Sequence, residues 1–274
     1  MPIVQGGMGV GVSLAGLASA VANQGGVGVI SSAGLGAIYN NYSKDYRAAS
    51  IWGLKEELRK AREATKGIIG VNVMVAMSNF ADMVKTAIAE KADIIFSGAG
   101  LPLNLPSFLT EDAKTKLAPI VSSARAAKVL CQKWFSEYKY IPDAIVVEGP
   151  KAGGHLGYKA DQISDEHYSL EAIVPQIVAE VRAFEAEHNC RIPVIACFSN
   201  SAMLVRSPET FRTGLAIAFM NPASSSSGSP DSVSGTMWFW ASSLRPFDFG
   251  NTDTVMPVAD LRMTIVISTL WAIN

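Results

Sequence analysis

A chain of 274 residues is long enough for one large domain, and barrels of repeated strand–helix units are commonly about 250 residues long. Its net charge of −1 and its lack of a long uncharged apolar stretch exclude a basic nucleic-acid surface and predict no membrane span. Three cysteines without metal-ligand spacing (Cys131, Cys190 and Cys197) and the absence of a signal-peptide pattern predict free thiols, no metal site and a cytoplasmic protein.

Short apolar runs alternate with amphipathic helical patterns over the first 197 residues. Runs that are apolar nearly throughout are typical of parallel strands covered on both faces. We predict seven strands, at Pro2–Gln5, Val27–Ser31, Ile68–Val75, Asp93–Ser97, Ala118–Ser122, Asp143–Glu148 and Pro193–Ala196. The clearest helices are predicted at Ser13–Asn23, Trp52–Thr65, Asn79–Lys91, Ala124–Tyr138 and Leu170–His188. This alternation favours an α/β fold of the TIM (β/α)8 barrel type, although an open doubly wound sheet has the same alternation.

The connection from Ala33 to Ser50 is long and carries three tyrosines, Tyr39, Tyr42 and Tyr46. A connection of this length inside a compact barrel is either a lid or substrate wall, or a plain surface excursion.

The composition changes after Cys197. The last 77 residues contain no lysine and only nine charged residues, and Asn221–Gly235 is rich in serine, glycine and proline. We therefore divide the chain into a barrel portion with strands 1–7, residues 1–197, and an atypical C-terminal segment, residues 198–274. Ser207–Glu209 is a candidate start for a helix running to about Met220, and Gly235–Ala241 is a candidate strand. The barrel is thus expected to be incomplete or atypical after strand 7.

Three segments with glycines or polar side chains follow predicted strands. In Gln5–Gly9, consecutive glycines either let the backbone approach a flat ring system or form an ordinary turn. Asn72 interrupts an apolar strand, and a buried carboxamide needs a partner, which is either the polar edge of a heterocycle or a neighbouring loop. The small residues of Ser97–Pro102 either leave room at the barrel mouth or form a plain turn.

A fourth segment, Val147–Gly157, carries the strongest chemical signal. Its predicted strand ends in Glu148, and a loop with flanking glycines then presents His155. Histidine titrates near neutral pH and can accept a proton from a carbon acid. A lone histidine is more often structural, but a position after a barrel strand favours catalysis. His167 lies in a polar loop and His188 at a helix end, so neither has this setting.

These segments together resemble the bacterial nitronate monooxygenases (formerly 2-nitropropane dioxygenases) and the related flavin-dependent enoyl-ACP reductases. The Ala-Gly-Gly-His element is the most diagnostic, and the likeness covers about residues 2–196. The matching segments are Gln5–Met8, Gly70–Val73, Ser97–Gly100, Ser122–Ser123 and Ala152–His155. The resemblance implies a TIM barrel that binds FMN through Gly6, Gly7, Met8, Asn72, Glu148, Gly153 and Gly154.

The resemblance also implies a reaction. His155 would deprotonate a neutral nitroalkane or orient the nitronate, and the flavin would pass electrons from the substrate to O₂, giving a carbonyl compound and nitrite. The partners implied are therefore a nitronate or nitroalkane and O₂. Glu148 stands where many relatives have a glutamine that contacts FMN. A carboxylate there would accept a hydrogen bond from a ring N–H or a ribityl hydroxyl, and would disfavour the anionic reduced flavin.

The likeness ends after strand 7. Relatives carry a glycine-rich flavin-phosphate element there and another after strand eight, whereas this chain has Phe198 and polar residues and no recognisable second element. Residues from about 197 onward are either an out-of-frame or foreign sequence or a divergent barrel end. Three functions follow: a nitronate monooxygenase, an FMN-dependent enoyl-ACP reductase that uses NAD(P)H, or a non-catalytic remnant without the flavin-phosphate site.

Overall fold

A computed structural model of the chain describes residues 3–152, 157–198, 215–217 and 265–267. All seven predicted strands are present, and their ends differ from the predicted ones by two residues at most. The strands are β1 (Ile3–Val4), β2 (Val27–Ser31), β3 (Ile68–Met74), β4 (Ile94–Gly98), β5 (Lys116–Val121), β6 (Ile145–Glu148) and β7 (Val194–Phe198). The α-helices are α1 (Ala15–Asn23), α2 (Leu35–Ile38), α3 (Tyr46–Ala64), α4 (Phe80–Ala89), α5 (Ala124–Tyr138) and α6 (Leu170–His188). Short 3-10 helices lie at Leu105–Phe108, Ala160–Gln162 and Glu166–Tyr168.

The strands curl into a TIM-like α/β barrel. From β1 to β7 each strand pairs in parallel with the next one in the chain. This sequential order excludes the doubly wound sheet, in which the strand order reverses at a switch point. The barrel is atypical after β7, where two three-residue strands follow, β8 (Leu215–Ile217) and β9 (Ile265–Ile267). Both pair with β7, and β9 also pairs with β1.

The prediction of a helix running to about Met220 is wrong at Leu215–Ile217, which is β8. Its apolar residues pair with Val194–Ala196 of β7, whose free edge offers backbone hydrogen bonds that a local helical pattern does not reveal. The candidate helix start at Ser207–Glu209 and the candidate strand Gly235–Ala241 lie outside the described residues.

Side chains alternate between the two faces of the barrel wall, as they do in any strand. Outward-facing residues such as Val71, Ile95 and Val147 belong to the large core that the helices cover. Inward-facing residues such as Val29 and Phe96 form a second, smaller cluster along the barrel axis. The inward set therefore determines what lies at the mouth of the barrel.

The connection after β2 is shorter than the sequence suggested. Helix α3 begins at Tyr46 rather than Trp52, because the Asp45 carboxylate accepts a hydrogen bond from the Arg47 N–H at 2.8 Å and caps the helix. The ring of Tyr39 lies 5.1 Å and that of Tyr42 lies 4.6 Å from the ring of Trp52, centroid to centroid. This aromatic packing anchors the connection on α3 and favours the surface excursion over a lid.

Cys131 and Cys190 are free thiols, as predicted. Among the described helices, none combines the length and hydrophobicity that a membrane crossing requires.

Glu57 is a buried carboxylate, 3% exposed, that joins three elements. Its Oε2 accepts a hydrogen bond from the Ala15 N–H at 2.6 Å, at the start of α1. Its Oε1 accepts a hydrogen bond from the Tyr39 hydroxyl. The first N–H groups of a helix have no partner within the helix, so this carboxylate takes the place of a local cap for α1, where Leu14 offers none.

Replacing Glu57 with alanine leaves the buried Ala15 N–H without a partner. We expect the Glu57→Ala change to lower the free energy of unfolding by about 2–3 kcal/mol, measured by chemical denaturation. The neighbouring Glu56, whose ion pair with Lys60 is half-exposed at 3.8 Å, serves as control. Glu56→Ala should cost less than about 1 kcal/mol. Equal losses in both variants would contradict a capping role for Glu57.

Candidate active site

A cavity of about 30 Å³ lies inside the barrel, toward the carboxyl ends of the strands. It brings together four of the seven residues predicted to contact a cofactor: Gly6, Gly7, Asn72 and Glu148. The other described lining residues are Val4, Gln5, Val29, Phe96, Ile120, Val146 and Cys197. Met8, a fifth predicted residue, does not line the cavity. Its backbone N–H donates a hydrogen bond to the Ser13 hydroxyl at 2.8 Å. Gly153, Gly154 and the predicted catalytic His155 lie outside the described residues.

Gly7 lies against the side chain of Asn72. A Cβ built on Gly7 would be 2.4 Å from the Cβ of Asn72 and 3.2 Å from a methyl group of Val29. Because no real Cβ atoms approach that closely, only glycine fits here without a shift of the backbone. The packing of Asn72 against the turn after β1 therefore requires glycine at position 7, in addition to the predicted contact of this residue with a cofactor.

Gln5 connects β1 to β2 through its side chain. Its Nε2 donates to the Val29 carbonyl at 3.2 Å, and its Oε1 accepts from the Val29 N–H at 3.2 Å. Nε2 also lies 3.0 Å from the Ser13 hydroxyl. Because β1 contains only two residues, this amide continues the pairing with β2 that the backbone no longer provides. Gln5 belongs to the segment Gln5–Gly9, but nothing in the sequence indicates that its side chain pairs with Val29.

Asn72 is 4% exposed and its side chain faces the cavity. Its backbone carbonyl accepts hydrogen bonds from the N–H of Ser32 at 3.0 Å and the hydroxyl of Ser32 at 2.9 Å. Its carboxamide makes no hydrogen bond within the described part of the chain. A buried amide without a partner is unfavourable, so this group is available to a water or a ligand in the cavity.

Glu148 ends β6 and points into the same cavity. Burial raises the pKa of its carboxyl to about 7, and a hydrogen bond from the Gly157 backbone offsets part of this rise. The neutral acid is therefore well populated near pH 7. Strongly shifted carboxyl groups in clefts are candidates for functional residues.

Tyr158 does not line the cavity but contacts the strand end that carries Glu148, a role that the sequence did not reveal. Its hydroxyl lies 3.0 Å from the carbonyl oxygen of Ser122 after β5, and 2.8 Å from that of Glu148 at the end of β6. Its ring makes an edge contact with Tyr168, with centroids 6.0 Å apart. Tyr158 therefore fixes the end of the loop that carries His155 to two strand ends. A single tyrosine in a loop gives no sequence signal for such a contact.

The segment Ser97–Pro102 does not enlarge the mouth. A Cβ on Gly98 would be 2.9 Å from the Cβ of Ile120, and one on Gly100 would be 3.1 Å from Val75, so side chains of neighbouring elements occupy the space that these glycines leave. The Ser97 hydroxyl faces away from the cavity and has no hydrogen-bond partner in the described structure.

The two described histidines lie outside the cavity. The side chain of His167 is 92% exposed and pairs with Asp165 at 2.8 Å. The ring of His188 packs against Phe135 and Phe184, with centroids 4.1 and 4.3 Å away. Neither is in a position to act on a ligand in the barrel, in agreement with the sequence analysis.

Comparison with known proteins places this barrel among described enzymes. The model of the family described as nitronate monooxygenase matches residues 1–89 and 78–197, which is most of the chain. The chain belongs to the nitronate monooxygenase family. The matched region ends at β7, the last strand of the sequential series.

Two solved structures resemble this member of the nitronate monooxygenase family. FabK from Thermotoga maritima is 26% identical with a TM-score of 0.51, over 72% of this chain and 50% of that one. A nitroalkane oxidase from Streptomyces ansochromogenes is 20% identical with a TM-score of 0.51, over 72% of this chain and 58% of that one. The second likeness concerns the fold alone. The chain thus spans between half and three fifths of these relatives, and no curated protein matches it.

The contact between Gly7 and Asn72 predicts the effect of one added methyl group. Gly7→Ala should lower the free energy of unfolding by about 1–3 kcal/mol, because the new Cβ overlaps a buried one. Gly16 of α1 is the matched control, since no atom lies within 4 Å of a Cβ built there. Gly16→Ala should raise helix stability by about 0.5–1 kcal/mol. A neutral Gly7→Ala in denaturant unfolding would show that the close approach is absent.

The hydroxyl of Tyr158 is expected to stabilise the fold measurably. Tyr158→Phe removes its hydrogen bonds to two backbone carbonyls and should lower the free energy of unfolding by about 1–2 kcal/mol. Tyr168→Phe keeps the edge contact between the rings and removes no hydrogen bond within the described part, so it should change little. Equal effects of the two substitutions, measured by denaturant unfolding, would refute the anchoring role of the Tyr158 hydroxyl.

Proposed function

We propose that the protein is an FMN-dependent nitronate monooxygenase, which oxidises alkyl nitronates or nitroalkanes with O₂ to a carbonyl compound and nitrite. One observation carries the proposal. In a member of this family, two polar side chains on distant strands, Asn72 and Glu148, meet a diglycine turn, Gly6 and Gly7, in one cavity at the carboxyl ends of the barrel strands. Active sites of TIM-barrel enzymes lie at this end of the barrel.

The residues in the cavity suit one edge of a flavin ring. Such an edge carries both donors and acceptors, and the carboxamide of Asn72, which lines the cavity, can offer both a donor and an acceptor. A cavity of about 30 Å³ has room for a few water-sized groups, which suits the polar edge of a ring rather than a whole ring. When bound, FMN supplies the redox chemistry, taking electrons from the substrate and giving them to O₂.

The protein's own contribution is binding, orientation and proton transfer. We assign to His155 the removal of a proton from the carbon next to the nitro group of a neutral nitroalkane. The described chain resumes at Gly157, two residues after His155. Gly157 itself lies against the Ser122 side chain, which would be 2.3 Å from an added Cβ, and its backbone reaches Glu148. These contacts support a place for His155 near the mouth.

Replacing His155 separates the two kinds of substrate. If His155 is the general base, His155→Ala should lower the rate with a neutral nitroalkane by roughly 10²–10⁴-fold. A preformed nitronate needs no deprotonation and should react with a smaller loss. The exposed His167 is the control, and His167→Ala should behave as the wild type with both substrates. An equal loss with nitroalkane and nitronate, in steady-state oxygen consumption, would argue against the role as base.

The likeness to FabK favours a second candidate, an FMN-dependent enoyl-ACP reductase that uses NAD(P)H, since this likeness has higher sequence identity than that to the nitroalkane oxidase. Consumption of NADH with a crotonyl thioester, without turnover of nitronate, would support the reductase. Nitronate oxidation with O₂ and no need for nicotinamide would support the monooxygenase. A purified protein that is colourless and does not bind added flavin would instead indicate a non-catalytic remnant.

For the chain's organisation, we propose that residues 1–197 form the catalytic barrel portion and residues 198–274 a divergent barrel end. The pairing of β8 and β9 with β7 supports this reading over an out-of-frame sequence. An uninterrupted reading frame on resequencing, with relatives that share the tail, would agree with it. A frameshift near codon 197 would contradict it.

A further inference from the structure

Glu148, which is partly buried, has surroundings that differ from those of the two buried carboxylates. Glu57 accepts a hydrogen bond from a helix N–H and Glu185 lies beside Arg182, so both have strong donors as partners. Glu148 instead extends into a cavity whose nearest described walls are apolar, formed by Val146, Ile120 and Phe96 among others. No lysine, arginine or histidine lines this cavity within the described part of the chain.

The groups that face Glu148 come from two elements, β7 and the loop after β6. Cys197 of β7 lies directly opposite it in the strand register. Tyr158 lies in the loop after β6 and donates to the Glu148 backbone carbonyl, and burial together with the nearby Glu148 raises the pKa of its phenol. The Gly157 backbone donates a hydrogen bond to the carboxyl group of Glu148. Burial raises the pKa of this group and the hydrogen bond lowers it, and the resulting pKa is about 7. Tyr158 and the Gly157 amide are thus uncharged groups at neutral pH.

We propose that Glu148 is protonated when the cavity is filled and presents a neutral carboxylic acid to it, where its O–H donates to an acceptor atom of the bound ring. This rests on the proposal that the cavity receives one edge of a flavin. Asn72 on β3 offers a carboxamide to the same cavity, so the two residues together present uncharged donors and acceptors. Ring binding then depends on the proton of Glu148 and weakens when that proton is lost.

The sign of the pH dependence follows from the direction of the shift. A carboxyl group whose pKa is higher in the folded than in the unfolded protein stabilises the fold at low pH, and this contribution is lost as the pH rises toward the folded value. The apo protein should therefore lose stability between about pH 4.5 and about pH 7 through this group. The same proton is needed for the donated hydrogen bond, so ligand affinity should fall over the upper part of this range and beyond.

The first experiment measures the proton directly in the protein without ligand. Infrared difference spectra between Glu148→Gln and the wild type should show the carbonyl band of a protonated carboxylic acid at about pH 5.5. Titration of the wild type should remove this band with a midpoint near the pKa of about 7. A wild type without such a band at about pH 5.5, or one whose band is lost near pH 4.5, overturns the proposal even where the variant fails to fold.

The second experiment measures binding of riboflavin, which has the flavin ring without a phosphate, by quenching of flavin fluorescence. If only the protonated form binds, the wild-type dissociation constant should rise about 30-fold from about pH 5.5 to about pH 8.5, since the competent fraction falls accordingly. Glu148→Gln, which donates at any pH, should bind with little pH dependence. Glu111→Gln, at an exposed loop position, should follow the wild type.

The outcomes separate the two proposals. Riboflavin binding that is independent of pH in the wild type, or equally dependent on pH in Glu148→Gln, overturns the role of Glu148 and leaves the proposed flavin site standing. No riboflavin or FMN binding by the wild type at any pH overturns the proposed function and the donation to a ring, while the infrared titration still decides whether the acid holds its proton.

Discussion

The candidate site depends on one geometric constraint, the parallel direction of seven consecutive strands. Because β1 to β7 all end on the same rim, residues that are far apart in the sequence reach the same height in the barrel. Asn72 ends up near Glu148 in this way, although one lies on β3 and the other on β6. Alternation of side chains along each strand then decides which residues face the axis. The parallel strand order and this alternation are enough to bring Asn72 and Glu148 together in the cavity.

Hydrogen bonding separates the buried polar groups that hold the fold from those that face the cavity. Gln5, Glu57 and Tyr158 bind backbone atoms of neighbouring elements, so their burial is compensated within the protein. The side chains of Asn72 and Glu148 make fewer hydrogen bonds with described residues, and both point into the cavity. Buried groups in this condition are expected at functional sites, where a ligand completes them. The carboxamide of Asn79 has no hydrogen-bond partner among the described residues and lies outside the cavity, and nothing in the structure explains it.

The sequence predicts most of the fold because the dominant signal is local. Parallel strands buried on both faces are almost continuously apolar, so all seven could be located within two residues. The start of α3 was misplaced because an aspartate cap, Asp45, stands in a polar stretch that hides it. The strand Leu215–Ile217 was mistaken for a helix because its partner strand, β7, decides its conformation. Pairing of this kind depends on a distant segment and leaves no local pattern.

The candidate site could likewise be predicted only in part. Gly6, Gly7, Asn72 and Glu148 could be predicted to lie together, because each lies in the last part of a strand or just after one, toward the same rim. The protonation of Glu148 could not, since it depends on the apolar walls that other strands supply. The contacts of Gln5 and Tyr158 were also beyond prediction, because their partners are backbone atoms that every sequence has. Residue type is visible in a sequence, whereas distance to a backbone carbonyl is not.

The close approach of Gly7 to Asn72 also bears on how this barrel can diversify. There is room for only one Cβ between β3 and the turn after β1 at this point, and it belongs to residue 72. Position 72 can therefore exchange its carboxamide for other side chains over evolutionary time without moving the turn that carries Gly7. Position 7 lacks that freedom. A mutational library aimed at new ligand preferences should randomise residue 72 and leave the glycine beside it unchanged.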